Sequence, residues 1–120
     1  MTLSLPLAGG PVERPLTIAE ITATAREVLE TAVPPVWVVG EVSGLKKYPS
    51  GHWYFTLKDA EAQLRCVMWR SDASRAQGAP GDGLQVVARG ALTVTAKRGE
   101  MQFVGRELLP TAEGGFYAAL

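Results

Sequence analysis

The sequence has little of what most active sites are built from. It holds one histidine and one cysteine. A lone Cys66 cannot close a disulfide within the chain, and Cys66 with His52 falls short of a zinc ligand set. Cys66 reads as a small apolar residue in a strand. His52 follows Gly51 in a turn, with no evident serine, cysteine or aspartate partner. The carboxylates are scattered, so no metal-holding cluster of the kind used for phosphodiester hydrolysis is expected. Glu41 and Asp59 lie near basic residues and are expected to brace loops. The glycine-rich stretch from Gly78 to Gly83 lacks the Gly-Lys-Ser/Thr of a phosphate-binding loop. The expectation is a chain with no catalytic residue, no metal site and no cofactor.

Long apolar runs are missing too: nothing approaches the ~20 residues that span a bilayer, and the N-terminus lacks the charged start and apolar run of a signal peptide. No membrane partner and a cytoplasmic location are therefore expected. There is also no excess of either charge, since 12 basic and 12 acidic residues cancel. The distribution is uneven, however. From Ser43 to Arg106 ten basic residues (Lys46, Lys47, Lys58, Arg65, Arg70, Arg75, Arg89, Lys97, Arg98, Arg106) face five acidic ones (Asp59, Glu61, Asp72, Asp82, Glu100), leaving +5 between acidic flanks. Local potential steers a polyanion to a surface, although a mixed, solvated surface has the same composition.

What is present suits one domain: 120 residues, 47% of them hydrophobic, with 13 glycines and 8 prolines between short runs of Val, Trp, Tyr and Phe. Residues 1–15 show no periodicity and read as a flexible arm, and 111–120 as the start of a linker to a missing C-terminal region. Between them, 16–110 form the folded unit. Thr17-Ile18-Ala19-Glu20 is a capping box that opens a helix over 17–33, which Pro34-Pro35 ends. Its apolar positions Ile18, Ile21, Ala25, Val28, Leu29 and Ala32 predict one buried stripe. From Val36 the period changes to two. Five strands are predicted, at Val36 to Lys46, His52 to Lys58, Gln63 to Trp69, Leu84 to Thr95 and Met101 to Leu109. A short helix around Asp72 to Ala76 fills the long third connection. This order is that of a mainly β, five-stranded Greek-key barrel over 36–110, and glycines inside strands (Gly40, Gly90, Gly105) fit its bends.

Alternation sends Trp53, Phe55 and Leu57 of the second strand inward and His52, Tyr54, Thr56 and Lys58 outward. On the third strand Leu64, Cys66 and Met68 alternate with Gln63, Arg65, Val67 and Trp69, which sends Arg65 and Trp69 outward. Exposed rings beside cations suit a single nucleic-acid strand, because bases stack on the rings while Lys and Arg track the phosphates. Two loops extend this face: Lys46, Lys47 and Tyr48 between the first and second strands, and Lys97 and Arg98 between the fourth and fifth. The OB fold uses these loops for oligonucleotides. The candidate binding residues are thus Tyr54, Arg65, Lys58, Trp69, His52, Lys46, Lys47, Tyr48, Lys97 and Arg98. Trp37 and Trp53 fall in apolar alternations and are assigned to the core. Tyr54 could instead cap the barrel end through its hydroxyl. A barrel that docks on another domain of its own enzyme, and one that binds RNA or tRNA, remain alternatives.

The runs Val36-Trp37-Val38-Val39-Gly40-Glu41-Val42-Ser43, Ser50-Gly51-His52-Trp53-Tyr54-Phe55-Thr56-Leu57-Lys58-Asp59 and Gln63-Leu64-Arg65-Cys66-Val67-Met68-Trp69 closely resemble the exodeoxyribonuclease VII large subunit. The match runs from about Leu16 to the end, including Gly83, Gly90, Arg98-Gly99 and Gln102. It implies an N-terminal OB domain that holds single-stranded DNA for a C-terminal catalytic region. It also implies a parent enzyme that cuts single-stranded DNA into oligonucleotides and recruits a small subunit through its missing part. More faintly, Tyr54 to Asp59 is similar to the Phe-x-x-Leu-Arg-Asp run of anticodon-binding OB domains in class II aminoacyl-tRNA synthetases. That similarity maps a stacking aromatic onto Tyr54 and a polar contact near Arg65.

Overall fold

The computed structural model describes residues 14–76 and 80–111. Most of the arm expected over 1–15, and all but the first residue of the linker expected over 111–120, lie outside the described residues. Helix α1 (Ile18–Ala32) begins at a complete capping box. The Glu20 N–H donates to Thr17 Oγ1 (3.0 Å) and the Thr17 N–H to Glu20 Oε1 (2.7 Å). The expected buried stripe is not formed. No residue of α1 is buried, and Ile18 is 79% exposed. The helix docks through polar groups instead: Arg26 Nε donates to the Val94 carbonyl (3.0 Å) and Thr93 Oγ1 to Glu30 (2.7 Å). Of the apolar positions, Val28 and Leu29 are half-buried, while Ile18, Ile21, Ala25 and Ala32 are exposed. Among the described residues no helix is long and apolar enough to cross a membrane.

The strands are β1 (Val36–Lys47), β2 (Trp53–Lys58), β3 (Gln63–Met68), β4 (Gln85–Val94) and β5 (Met101–Pro110), with a short α2 (Arg70–Ala73) after β3. They close in the order β1-β2-β3-β5-β4, all pairs antiparallel except β3 with β5. The core is the inner face, with Val42, Phe55, Leu57, Cys66, Met68, Val86, Ala88, Phe103 and Leu108 buried together. β2 and β3 follow the predicted alternation, with Trp53 and Leu64 packed against this core.

Two sequence expectations are corrected, the place of Trp37 and the start of α2, and one residue of the β3 alternation is covered. Trp37 is 45% exposed. Its neighbours Val36 and Val38 take the inner face, and Trp37 stands outside opposite Arg89. Val67 faces out yet is fully buried, because Tyr54 on β2 and Val104 on β5 flank it in register. α2 starts two residues earlier than expected. The Asp72 and Ala73 N–H groups donate to the Trp69 carbonyl, while the buried Asp72 carboxylate binds Arg75. Gly90 is required by space, since a Cβ there would lie 2.2 Å from the Val104 carbonyl oxygen and 2.8 Å from the Phe103 ring.

Candidate nucleic-acid interface

The pairing of β2 with β3 sets Tyr54 opposite Val67 and Thr56 opposite Arg65 on the outer surface. Tyr54 is half-buried and Arg65 exposed. The Tyr54 hydroxyl makes no hydrogen bond among the described residues, so it does not cap the barrel in that way. Its ring belongs to a cluster. Tyr48 stacks on His52 (5.2 Å between centroids, 12° between planes), and both meet Tyr54 edge-on at 5.4 and 5.3 Å. Trp69, 48% exposed, continues the surface 5.9 Å from His52. Such edge-on and stacked contacts hold the rings in place while leaving π-faces open.

The histidine does have a serine partner, contrary to the sequence reading, because Ser50 Oγ contacts His52 Nδ1. The turn Tyr48-Pro49-Ser50-Gly51 makes that contact, closed by the Gly51 N–H donating to the Tyr48 carbonyl (2.8 Å). Among the described residues no carboxylate is hydrogen-bonded to either side chain to complete a triad, and the contact orients the ring against Tyr48. Among the described residues no group of three His, Cys, Asp or Glu could hold a metal ion.

Two grooves, of about 380 and 390 Å³, flank this surface. The first is lined by Gly44, Lys46, Tyr48, Tyr54, Phe55, Thr56 and Arg65. The second is lined by Tyr54, Arg65, Thr95, Arg98, Glu100, Met101 and Gln102. Tyr54 and Arg65 are the wall common to both. The grooves therefore connect the β1–β2 loop to the β4–β5 hairpin across the β2–β3 face. Lys46, Arg65 and Lys97 have no carboxylate partner among the described residues, which leaves their charge open to an anion.

The remaining candidates sit apart. Lys47 lies over the Trp53 ring at 4.6 Å, a cation–π contact on the other face of β1. Lys58 ends the outward row of β2 and is paired with Glu41 at 3.8 Å. Arg98 is paired with Glu100 at 3.3 Å but is largely exposed, so an incoming phosphate can compete for it. Lys97 is at the exposed hairpin tip. Asp59 braces its turn by accepting from the Glu61 and Ala62 N–H groups, which holds its carboxyl below the usual range. A larger cleft of about 590 Å³ shares no residue with either groove, and its Arg75, Arg89 and Arg106 are each paired with Asp72 or Glu107.

Sequence reasoning missed Gln102, Met101 and Gly44 as lining residues. Gln102 and Met101 reach the groove because β5 pairs with β3 in parallel, a long-range pairing that no local pattern reveals. Gly44 could have been noticed as a glycine interrupting an apolar strand.

Residues 16–108 match the family described as OB-fold nucleic acid binding domain. The chain is 46% identical to the exodeoxyribonuclease 7 large subunit of Geobacter metallireducens over 91% of its own length and 24% of the relative's. It is 43% identical to that of Nitrosomonas europaea over 85% and 23%. The chain thus spans about a quarter of the length of these curated relatives. In fold it is similar to a chain of a replication protein A heterotrimer bound to ssDNA (TM-score 0.57, 14% identity, 72% of this chain and 65% of that one). It is also similar to a chain of the S. pombe Stn1-ten1 complex (TM-score 0.54, 18% identity, 71% and 63%). A closed five-stranded barrel with these matches belongs to the family of OB-fold nucleic acid binding domains, in the form found in exodeoxyribonuclease 7 large subunits.

Proposed function

We propose that this domain binds single-stranded DNA and positions it for hydrolysis to oligonucleotides by a catalytic region outside the described chain. The observation that carries this reading is the shared wall of Tyr54 and Arg65 between two grooves, with Tyr48, His52 and Trp69 presenting further rings beside it. Exposed rings beside cations that have no carboxylate partner among the described residues favour an extended single strand, whose bases are free to stack, over a duplex, whose bases are not. In this reading the domain contributes no catalytic residue and no cofactor, works in the cytoplasm, and meets the small subunit only through the rest of the large subunit.

Fluorescence titration with oligo-dT tests it. Binding that weakens as salt rises is expected, and the absence of binding at low salt rejects the proposal. Competition with matched RNA separates the related alternative: a clear preference for RNA would reassign the groove.

A further inference from the structure

β1 and β2 do not keep one register. Glu41 to Ser43 pair with Lys58 to Thr56, whereas Lys46 and Lys47 pair with Tyr54 and Trp53, so β1 carries one extra residue in between. Had the first register continued, Leu45 would stand opposite Tyr54 and Lys46 opposite Trp53. Leucine would then face the groove and lysine the barrel interior, since a one-residue slip exchanges the faces of a strand. The bulge reverses both assignments. Lys46 lines the groove with Tyr54 and Arg65, and Leu45 packs on the core.

The bulge has a specific support. Gly44 adopts φ +64°, the left-handed conformation that lets glycine begin a bulge. An extra residue leaves backbone N–H groups outside the ladder, and they need acceptors. Gly44 N–H donates to Asp82 Oδ2 (3.0 Å) and Leu45 N–H to Asp82 Oδ1 (2.9 Å). Asp82 is held there by its own turn, where the Gly83 N–H donates to the Val42 carbonyl (2.8 Å) and the Val42 N–H to that of Leu84 (2.9 Å).

We propose that Asp82 is a positioning residue of the nucleic-acid groove: its carboxylate fixes the β1 bulge and thereby places Lys46 on the binding face. The binding part rests on the single-strand reading above, while the register part does not. The proposal opposes simple electrostatics, by which removing an acid near a polyanion's path strengthens binding.

The test compares the wild-type chain with Asp82→Ala, Lys46→Ala and the double variant. Oligo-dT affinity is measured over a salt series, and cross-strand NOEs between Lys46 and Tyr54 by NMR. Loss of one phosphate contact with a single strand lowers the salt slope by about 0.7, which is about fivefold in affinity at 0.1 M salt. Asp82→Ala is expected to lose the NOE and to match Lys46→Ala in affinity and slope, and the double variant to fall no further. Asp82→Asn keeps one acceptor and covers the case in which the alanine variant does not fold; a smaller loss, again not additive with Lys46→Ala, is expected. A retained NOE, an unchanged or raised affinity, or additive losses would overturn the proposal. If wild-type chain does not bind oligo-dT, the single-strand reading fails by itself and the NOE still decides the register claim.

Discussion

At the scale of single residues, the groove and the core use opposite faces of the same two strands, so binding and stability separate. Tyr54 offers a ring to the groove while Phe55 beside it is buried among the core residues. Tyr54→Ala is expected to cost about 1–3 kcal/mol of binding for a base that stacks on it. The thermal midpoint of this variant should change little compared with a core truncation. Titration and thermal melts of one preparation check both. Cys66 illustrates the other face. Burial pushes its thiol up to about 12, and the thiolate is the reactive form. Thiol reagents at pH 8 are expected to leave Cys66 unmodified in the native chain and to label it at once in denaturant, which absorbance of the released chromophore would follow. Both faces were legible in the sequence, because the rows 52-54-56-58 and 53-55-57 differ sharply in polarity. Trp37 was not. Both rows of β1 are apolar near it, and alternation alone gives no reason to prefer the row of Val36 and Val38 for the interior.

The elements were legible to within a residue or two, except where their position depends on contacts distant in sequence. The capping box shows what local chemistry can specify: four residues determine where α1 starts. Which side of α1 faces the barrel is set by Arg26 reaching Val94 and Glu30 reaching Thr93, and no helical periodicity encodes those partners. α2 starts before the expected Asp72 because the Asp72 and Ala73 N–H groups turn back to the Trp69 carbonyl, whereas the length of the connection says only that a helix fits in it. A pH effect belongs to this scale. The Thr17 backbone N–H holds the Glu20 carboxyl below its ordinary value. A carboxyl lowered in the folded state adds stability above its unfolded value, and that stability is lost as pH falls through the lowered value. Amide protection in the first turn of α1 is therefore expected to decline in acid before that of the barrel strands. Glu20→Gln should abolish this separate step, and hydrogen exchange between pH 3 and about 6 would resolve it.

For the whole molecule, net charge and binding charge are different quantities. Formal charge is zero, yet α1 carries Glu20, Glu27 and Glu30 on its exposed residues while Lys46, Arg65 and Lys97 stand unpaired along the grooves and hairpin. Potential from exposed charges decays over about 8 Å at physiological salt. A strand lying between the β1–β2 loop and the β4–β5 hairpin releases counterions where cations meet its phosphates, so the salt slope counts the groove cations and not the carboxylates of α1. Each phosphate neutralised on a single strand contributes about 0.7 to the slope of log affinity against log salt. Three unpaired cations give a slope near −2, and release of Arg98 from Glu100 raises it to about −3. Replacing Glu20, Glu27 and Glu30 together by glutamine changes the net charge by three units, more than the loss of Arg65. It is nevertheless expected to leave the slope unchanged, whereas Arg65→Ala lowers it by about 0.7. Titrations of the two variants over one salt series make the comparison. Equal slopes would mean that the polyanion is attracted by the molecule as a whole and not held by this face.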